Sequence, residues 1–112
     1  MTGPRATSDY LGEFEHLVLL AVMALGEQAY GVPIRRLIAQ RADREVSFGA
    51  VYSTLRRLQA KGHVQFSNQP ASGFAGGRPR RVARTTASGV RAVHAAQRRL
   101  RRMAEPLGEA GS

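Results

Sequence analysis

The chain has 112 residues, 43% of them hydrophobic, which is enough for one domain with a buried core and too few for two. Seventeen Lys and Arg against eight Asp and Glu give a net charge of +9, which favours a polyanionic partner or an anionic membrane surface. The absence of Cys excludes disulfides, thiol catalysis and cysteine-ligated zinc.

The positive charge is concentrated in the second half of the chain. Residues 1–55 contain five Arg and six acidic residues, whereas residues 56–112 contain eleven Arg, one Lys and two Glu. The first part therefore has a net charge of −1 and the second a net charge of +10. We expect a polyanionic partner to bind the second half.

The longest apolar run covers residues 17–25 (LVLLAVMAL) and predicts a buried helix. A membrane-spanning helix needs about 20 apolar residues. The run follows Asp9, Glu13 and Glu15, whereas a signal peptide has basic residues at this place. These features predict a cytoplasmic protein.

The first helix is expected to start at Ser8 or Asp9, after a flexible arm over residues 1–8, and to end at Leu25 before Gly26. Apolar residues cover nearly all of its faces. Such a helix is buried on two sides, and the second side is predicted to contact a partner subunit.

A second helix is predicted from about Tyr30 to Ala42, with Pro33 in its first turn and Arg35 and Arg36 directed outward. Its buried stripe consists of Ile34, Leu37 and Ile38. The short polar segment after Ala42 predicts a turn into the next helix.

The third helix has clear start and stop signals, Ser47 as the N-cap and Gly62 as the end. Helical periodicity places Val51, Leu55 and Leu58 on the core face. Tyr52 lies on the flank. The opposite face is small, polar and basic, and it consists of Gly49, Ser53, Arg56, Arg57 and Ala60.

A β-hairpin is predicted after the third helix. Residues 63–67 alternate as a half-buried strand, residues 68–79 are rich in Gly and Pro and form a loop, and residues 80–85 form the returning strand. The loop and returning strand carry four arginines without a nearby carboxylate, Arg78, Arg80, Arg81 and Arg84. Their mutual repulsion favours an anionic partner.

The last helix is predicted to start at Thr86 or Ser88, to run to about Ala104 and to be ended by Pro106. Its apolar residues step by three and four as in a helix-pairing seam, namely Val93, Ala96, Leu100, Met103 and Leu107. Together with Phe14 and Leu17, the first four of these are the predicted dimer interface.

This order of elements predicts a mainly α fold with a small β-hairpin, a winged helix-turn-helix with a C-terminal dimerisation helix. Residues 9–85 form the DNA-binding domain, residues 86–105 the dimerisation helix and residues 106–112 a tail. The small basic face of the third helix suits the major groove, and the wing arginines suit the DNA backbone or minor groove.

The sequence resembles the PadR family of transcriptional regulators. The resemblance lies in residues 11–31, residues 46–58 (VSFGAVYSTLRRL), Lys61-Gly62, residues 76–81 (GGRPRR) and residues 86–89 (TASG). It implies a winged-helix homodimer that binds operator DNA and usually represses. Some members release DNA when a small, often aromatic, molecule binds near the dimer interface.

The resemblance also implies roles for particular residues. The DNA-contacting Tyr of the recognition helix matches Tyr52, and the wing arginines match Arg78, Arg80 and Arg81. The complete set of predicted DNA-binding residues is Ser47, Gly49, Tyr52, Ser53, Arg56, Arg57, Arg78, Arg80 and Arg81. The chain departs from the family at Phe48 and Ala50, where Pro and Thr or Ser are common, and at Val82-Ala83, where the family has two Tyr. The single short C-terminal helix indicates the small subtype.

Several alternatives stay open. One is a non-specific nucleic-acid or RNA binder, for which only Phe74 offers an exposed stacking aromatic; another is a winged-helix protein–protein adaptor. A ligand pocket could be lined by Phe14, Leu17, Val18, His94 and Leu100. The isolated His16, His63 and His94 predict no metal site, and neither a catalytic motif nor a cofactor site is present. The pattern assigns no role to Arg98, Arg99, Arg101 and Arg102.

Overall fold

A computed structural model describes residues 10–69 and 80–111, with side chains up to residue 107. The predicted arm over residues 1–8 and the wing tip, including Phe74 and Arg78, lie outside the described residues. The helices are α1 (Glu13–Leu25), α2 (Gly31–Ala42), α3 (Phe48–Ala60) and α4 (Ala87–Gly111), the strands are β1 (Val64–Gln69) and β2 (Arg80–Thr85), and a 3-10 turn covers Gly26–Gln28.

Helix α1 begins at Glu13 with Gly12 as its N-cap, three or four residues later than an N-cap at Asp9 or Ser8 would place it. The Gly12 N–H donates a hydrogen bond of 2.9 Å to Glu15 Oε1, which satisfies one of the free N–H groups before the first turn. Helix α1 contains the apolar run. Over the described ranges, no helix is long and apolar enough to cross a membrane.

Helices α2 and α3 form the predicted helix-turn-helix. Pro33 lies in the first turn of α2, where its missing N–H leaves no hydrogen bond unmade. Ser47 caps α3 as predicted, since its Oγ accepts a hydrogen bond of 3.1 Å from the Ala50 N–H. Gly62, with φ of 83°, turns the chain after α3 in a conformation that favours glycine.

Strands β1 and β2 are antiparallel, and Phe66 pairs with Ala83. Strand β1 begins one residue later than predicted and extends two residues further, to Gln69, so residues 68–69 are not loop. The Ala83 N–H also donates a hydrogen bond of 2.8 Å to the Ala29 carbonyl. This bond attaches the hairpin to the segment between α1 and α2.

The core lies where α1, α2, α3, the hairpin and the first turns of α4 meet. Each element contributes residues that are at most 3% exposed: Val18, Leu19, Val22, Ile34, Ile38, Val51, Leu55, Leu58, Val64, Val82 and Val93. The predicted core faces of α2 and α3 are confirmed, except that Leu37 is only half-buried. The core holds the hairpin and α3 in one unit.

The start of α4 is fixed against the end of α3. Thr86 Oγ1 accepts from the Gly89 N–H at 3.1 Å and donates to the Gly62 carbonyl at 2.7 Å. The Thr86 N–H donates to the His63 carbonyl at 3.0 Å. A Cβ on Gly89 would lie 2.4 Å from that same carbonyl oxygen, so only glycine fits this close approach.

Helix α4 does not end at Pro106; it continues to Gly111. Proline has no N–H, so the carbonyl four residues before it loses its helical hydrogen bond. Residues 101–107 are exposed, and water can donate a hydrogen bond to this carbonyl instead. The predicted seam is divided. Val93 and Ala96 are buried by their own chain, whereas Leu100, Met103 and Leu107 are 61%, 76% and 75% exposed.

Candidate nucleic-acid interface

The face of α3 opposite the core is exposed and carries small residues and one cation. Gly49, Ser53 and Arg56 all lie on it. Helix α3 contains no acidic residue. Arg56 makes no hydrogen bond or ion pair with any described residue. This face can approach an anionic surface closely and presents it with an unneutralised guanidinium.

Tyr52 lies on the flank of α3, 43% exposed, and its ring packs against the start of α2. A Cβ on Gly31 would lie 2.6 Å from the Tyr52 hydroxyl oxygen, so the contact requires glycine at this position. Gly31 is the first residue of α2, whose first N–H groups have no partner within the helix. The hydroxyl and the positive end of the α2 dipole therefore lie side by side.

Arg35 positions the start of α3. The prediction that this side chain is directed outward did not include this role. Its Nε donates a hydrogen bond of 2.8 Å to the Val46 carbonyl, and its guanidinium lies 4.6 Å from the Phe48 ring centroid. Arg35 is half-buried, whereas its neighbour Arg36 is exposed as predicted. No local sequence signal distinguishes these two arginines, because the contacted groups lie more than ten residues away.

Two wing arginines are exposed and stacked on aromatic rings. The Arg80 guanidinium lies 4.7 Å from the Tyr30 ring centroid, and that of Arg81 lies 4.5 Å from the Phe66 ring centroid. Stacking leaves the N–H groups at the guanidinium edge free for an acceptor while it restricts the side chain. Both predicted residues are thus ordered cations on the hairpin.

Arg84 differs from Arg80 and Arg81 because it has a carboxylate neighbour among the described residues. Its Nη2 lies 3.8 Å from Glu27 Oε2, and its Nε is 3.5 Å from Ser67 Oγ. The expectation that these arginines lack a nearby carboxylate is therefore wrong for Arg84. Glu27 belongs to the 3-10 turn, far from Arg84 in sequence but adjacent to the hairpin in space.

Arg57 also differs from the prediction that it lies free beside Arg56. Its Nε is 3.6 Å from Glu15 Oε2, and its Nη2 donates to Thr54 Oγ1 at 3.1 Å. Lys61, at the end of α3, donates to Glu15 Oε1 at 2.9 Å. The structure therefore places Arg57 on the flank of α3 that faces α1, paired with a buried carboxylate.

A groove of about 400 Å³ lies between α1 and α4. It is lined by Tyr10, Leu11, Glu13, His16, Ala96, Arg99, Leu100 and Met103. Only Leu100 belongs to the pocket expected from the sequence. That pocket does not form as predicted, because Val18 is completely buried in the core and His94 is exposed on the other side of α4.

His16 is the polar group at the base of this groove. Its Nε2 is buried without a hydrogen-bond partner among the described residues. Burial and the nearby charge of Arg99 lower the pKa of His16 below its ordinary value. Arg99 also lies over the Tyr10 ring, 5.5 Å from its centroid. The groove thus combines apolar and aromatic walls with the Arg99 cation, the Glu13 carboxylate and one neutral imidazole.

The remaining arginines at the end of α4 have no assigned contacts. Arg98, Arg101 and Arg102 are exposed and form no ion pair with a described residue.

The histidines do not form a metal site among the described residues. His63 is buried with its Nδ1 2.8 Å from Ser88 Oγ. In the part of the chain that the structure describes, no group of His, Asp and Glu could hold a metal ion.

The solved structures with this arrangement of elements include PadR family regulators. A PadR family transcriptional regulator from Eggerthella lenta has a TM-score of 0.67 at 24% identity, over 88% of this chain and 85% of that chain. One from Clostridium difficile has a TM-score of 0.68 at 18% identity, over 87% and 99%. Bacillus subtilis PadR, solved in complex with operator DNA, has a TM-score of 0.61 at 15% identity, over 76% and 46%.

At these identities the solved structures establish the fold, a winged helix-turn-helix, and the sequence establishes the family. No curated protein sequence matches the chain. Residues 19–95, more than half of the chain, match the Transcriptional regulator PadR-like family. The predicted family is confirmed, as is the mainly α winged helix-turn-helix fold with its β-hairpin, while the dimerisation role of the C-terminal helix stays a prediction; the chain belongs to the PadR-like family of transcriptional regulators.

Proposed function

We propose that the protein is a cytoplasmic, sequence-specific repressor that binds a pseudo-palindromic operator as a homodimer. The observation that carries this proposal is the exposed face of α3, which has small residues, no acid and an unpaired Arg56. A helix with such a face fits the major groove, and a two-fold dimer presents two of them to symmetric half-sites. The solved complex of Bacillus subtilis PadR with operator DNA supports this mode of action.

In this proposal the residues around α3 have different roles. Arg56 and Ser53 contact base edges, and Gly49 allows the helix backbone to approach. Tyr52 donates its hydroxyl to a phosphate beside the start of α2, where backbone N–H groups also favour an anion. Ser47 starts α3 as its cap and lies at the same DNA-facing end.

The wing supplies backbone contacts. Arg80 and Arg81 are held by the Tyr30 and Phe66 rings and therefore lose little side-chain entropy when they bind phosphates. Arg78 is predicted to extend this contact from the wing tip. These charges add affinity for any duplex, whereas the α3 contacts add sequence preference.

The dimer is proposed to form through α1 and α4. Beyond Ala96 the apolar face of α4 continues as Leu100, Met103 and Leu107, which are largely exposed. Apolar side chains of α1 and α2, including Leu17 and Leu20, line a second exposed groove of about 320 Å³. In a homodimer in which the apolar face of α4 of each copy packs against this groove of the other copy, both surfaces would be buried.

A small aromatic or hydrophobic effector is proposed to bind the groove between α1 and α4. Its walls are largely apolar, and Arg99, Glu13 and the neutral His16 offer polar groups for orientation. Because Leu100 and Met103 line both this groove and the proposed interface, an occupant would alter the spacing of the two DNA-binding units.

The proposal is tested by selection of binding sites from random DNA with the purified protein, followed by footprinting of the selected duplex. The expected result is a protected inverted repeat whose affinity exceeds that of a scrambled duplex at every salt concentration. A non-specific binder would bind both duplexes alike and lose both alike with salt. If Arg56→Ala and Arg80→Ala left regulation of the target promoter intact, the protein would instead act as an adaptor.

A further inference from the structure

Glu15 is a buried carboxylate at the junction of α1 and α3. Its side chain is 9% exposed, and three donors surround it. The Gly12 N–H and Lys61 Nζ each lie 2.9 Å from Oε1, and Arg57 Nε lies 3.6 Å from Oε2. No other acidic residue in the described part of the chain is buried.

This carboxylate keeps its charge despite its burial. Burial alone raises the pKa of Glu15, but the hydrogen bond from Lys61, the Gly12 N–H and the charges of Lys61 and Arg57 outweigh this effect and lower it. Glu15 is therefore a fixed negative charge directly behind the recognition helix.

The two cations are held in different ways. Lys61 is 23% exposed at its side chain and also donates to the Tyr10 carbonyl at 3.0 Å, so it is tied to the start of α1. Arg57 is 57% exposed at its side chain and lies on the flank of α3, about 100° from Arg56 around the helix. From the flank of a helix in the major groove, an arginine can reach the phosphates of the groove wall.

Arg56 and Arg57 thus form a natural comparison within one helix. They are adjacent and of the same type, and both are exposed. Arg56 has no partner among the described residues, whereas Arg57 has a carboxylate and a threonine hydroxyl. A phosphate that binds Arg57 must compete with the fixed charge of Glu15, and no such competition exists at Arg56.

We propose that Glu15 is a specificity-determining residue, which withholds Arg57 from the DNA backbone and so limits the affinity of the protein for non-operator DNA. This inference rests on the proposed function, because it concerns how the same α3 binds DNA. The sequence-based assignment of Arg57 to the DNA contacts is thereby replaced. The net charge that meets DNA is smaller than the composition indicates, since one arginine of α3 is neutralised from within the fold.

The experiment measures how affinity for a random-sequence duplex depends on salt, for wild type and for Glu15→Gln. Each additional phosphate contact steepens the log–log salt dependence by about 0.9, which corresponds to about threefold in affinity between 50 and 200 mM salt. Glu15→Gln is expected to steepen the slope by about 0.9 through the released Arg57. In Glu15→Gln the ratio of operator affinity to random-duplex affinity should fall, because a contact from Arg57 to a phosphate does not depend on the base sequence.

Two arginine variants supply the controls. Arg57→Gln in the wild-type background is expected to leave the slope unchanged, while Arg56→Gln reduces it by about 0.9 if its contact is to phosphate, or reduces operator preference if its contact is to a base. In the double variant Glu15→Gln/Arg57→Gln, the slope should return to that of wild type. A purely structural role of Glu15 would weaken binding without any gain that depends on Arg57.

The outcomes separate this inference from the proposed function. If wild type shows no preference for any selected duplex, the proposed function fails, whatever the Glu15 variant does. If wild type binds its operator but the slope of folded Glu15→Gln equals that of wild type, the inference is wrong. If Glu15→Gln does not fold, the Arg57→Gln variant decides: a slope that is smaller than that of wild type by about 0.9 would show that Arg57 already contacts a phosphate and would overturn the inference.

Discussion

Gly89 is the position at which the packing of the C-terminal helix can be tested most sharply. It lies in the first turn of α4, against the chain segment that leaves α3. A Cβ built on Gly89 would lie 2.4 Å from the His63 carbonyl oxygen, 2.9 Å from Thr85 Cγ2 and 3.2 Å from the His63 carbonyl carbon. Two of these atoms are backbone, so a side-chain rotation cannot relieve the contact.

The substitution Gly89→Ala is therefore expected to destabilise the fold. Overpacking of a tight site costs about 1–3 kcal/mol, and more where backbone must move. Alanine recovers up to about 1 kcal/mol through its higher helix propensity. We expect a net loss of about 2 kcal/mol in the free energy of unfolding, because the α4 start must move away from a carbonyl that also accepts the Thr86 N–H.

The assay is thermal and urea unfolding followed by circular dichroism at one fixed protein concentration. A loss of 2 kcal/mol lowers the Tm of a domain of this size by about 8–16 °C. Gly49→Ala is the matched control, because among the described residues its Cβ would meet Ser47 Oγ alone, at 3.8 Å, which is an ordinary contact. That variant should be slightly stabilised by helix propensity. Equal Tm values for Gly89→Ala and wild type would refute the packing argument.

Three further predictions concern charge, protonation and assembly. Folding lowers the pKa of Glu15, so its ionised form stabilises the fold above its unfolded pKa of about 4.3, and this contribution is lost as the pH falls through the folded pKa. The variant Glu15→Gln should therefore show a smaller loss of stability at acid pH than wild type. An equal loss would contradict the pairing of Glu15 with Lys61 and Arg57. Folding also lowers the pKa of His16. Below the ordinary pKa of about 6.5 the unfolded chain therefore binds more protons than the folded chain, and the free energy of unfolding decreases as the pH is lowered. His16→Gln should remove that part of the dependence, as measured by urea unfolding between about pH 5 and 7. Leu100→Asp should shift the mass in light scattering from dimer toward monomer, whereas Arg98→Asp, on the opposite side of α4, should not; the same mass for all three proteins would exclude α4 from the interface.

Short-range signals predicted the local elements well. Ser47 and Gly62 delimit α3 as expected, and Val51, Leu55 and Leu58 face the core, because capping and periodicity act within a few residues. Strand β2 also has the predicted bounds, from Arg80 to Thr85. The helix-turn-helix and hairpin could therefore be assembled from the sequence.

Contacts between distant residues could not be predicted. Nothing near Arg57 in sequence distinguishes it from Arg56, because its partner Glu15 precedes it by 42 residues. The pairing of Arg84 with Glu27 has the same origin. The start of α1 has a local cause instead: the Glu15 side chain bonds the Gly12 N–H three residues earlier, a signal within the sequence itself, and only its additional bond from Lys61 comes from a distant residue.

The continuation of α4 through Pro106 has a different cause. A proline usually ends a helix because it lacks the N–H for one hydrogen bond and its ring presses on the carbonyl four residues earlier. Residues 101–107 are exposed, so the cost is smaller than in a packed helix. Exposure is a property of the whole fold, and a local rule about proline does not include it.

The central claim, that the exposed face of α3 reads duplex DNA, is tested most directly by equilibrium binding of wild type and Arg56→Ala to a selected operator and to its scrambled counterpart. We expect wild type to prefer the operator and Arg56→Ala to lose about 1–3 kcal/mol of that preference, with a smaller change on the scrambled duplex. Equal affinity of wild type for the two duplexes, or an unchanged preference in Arg56→Ala, would contradict the claim.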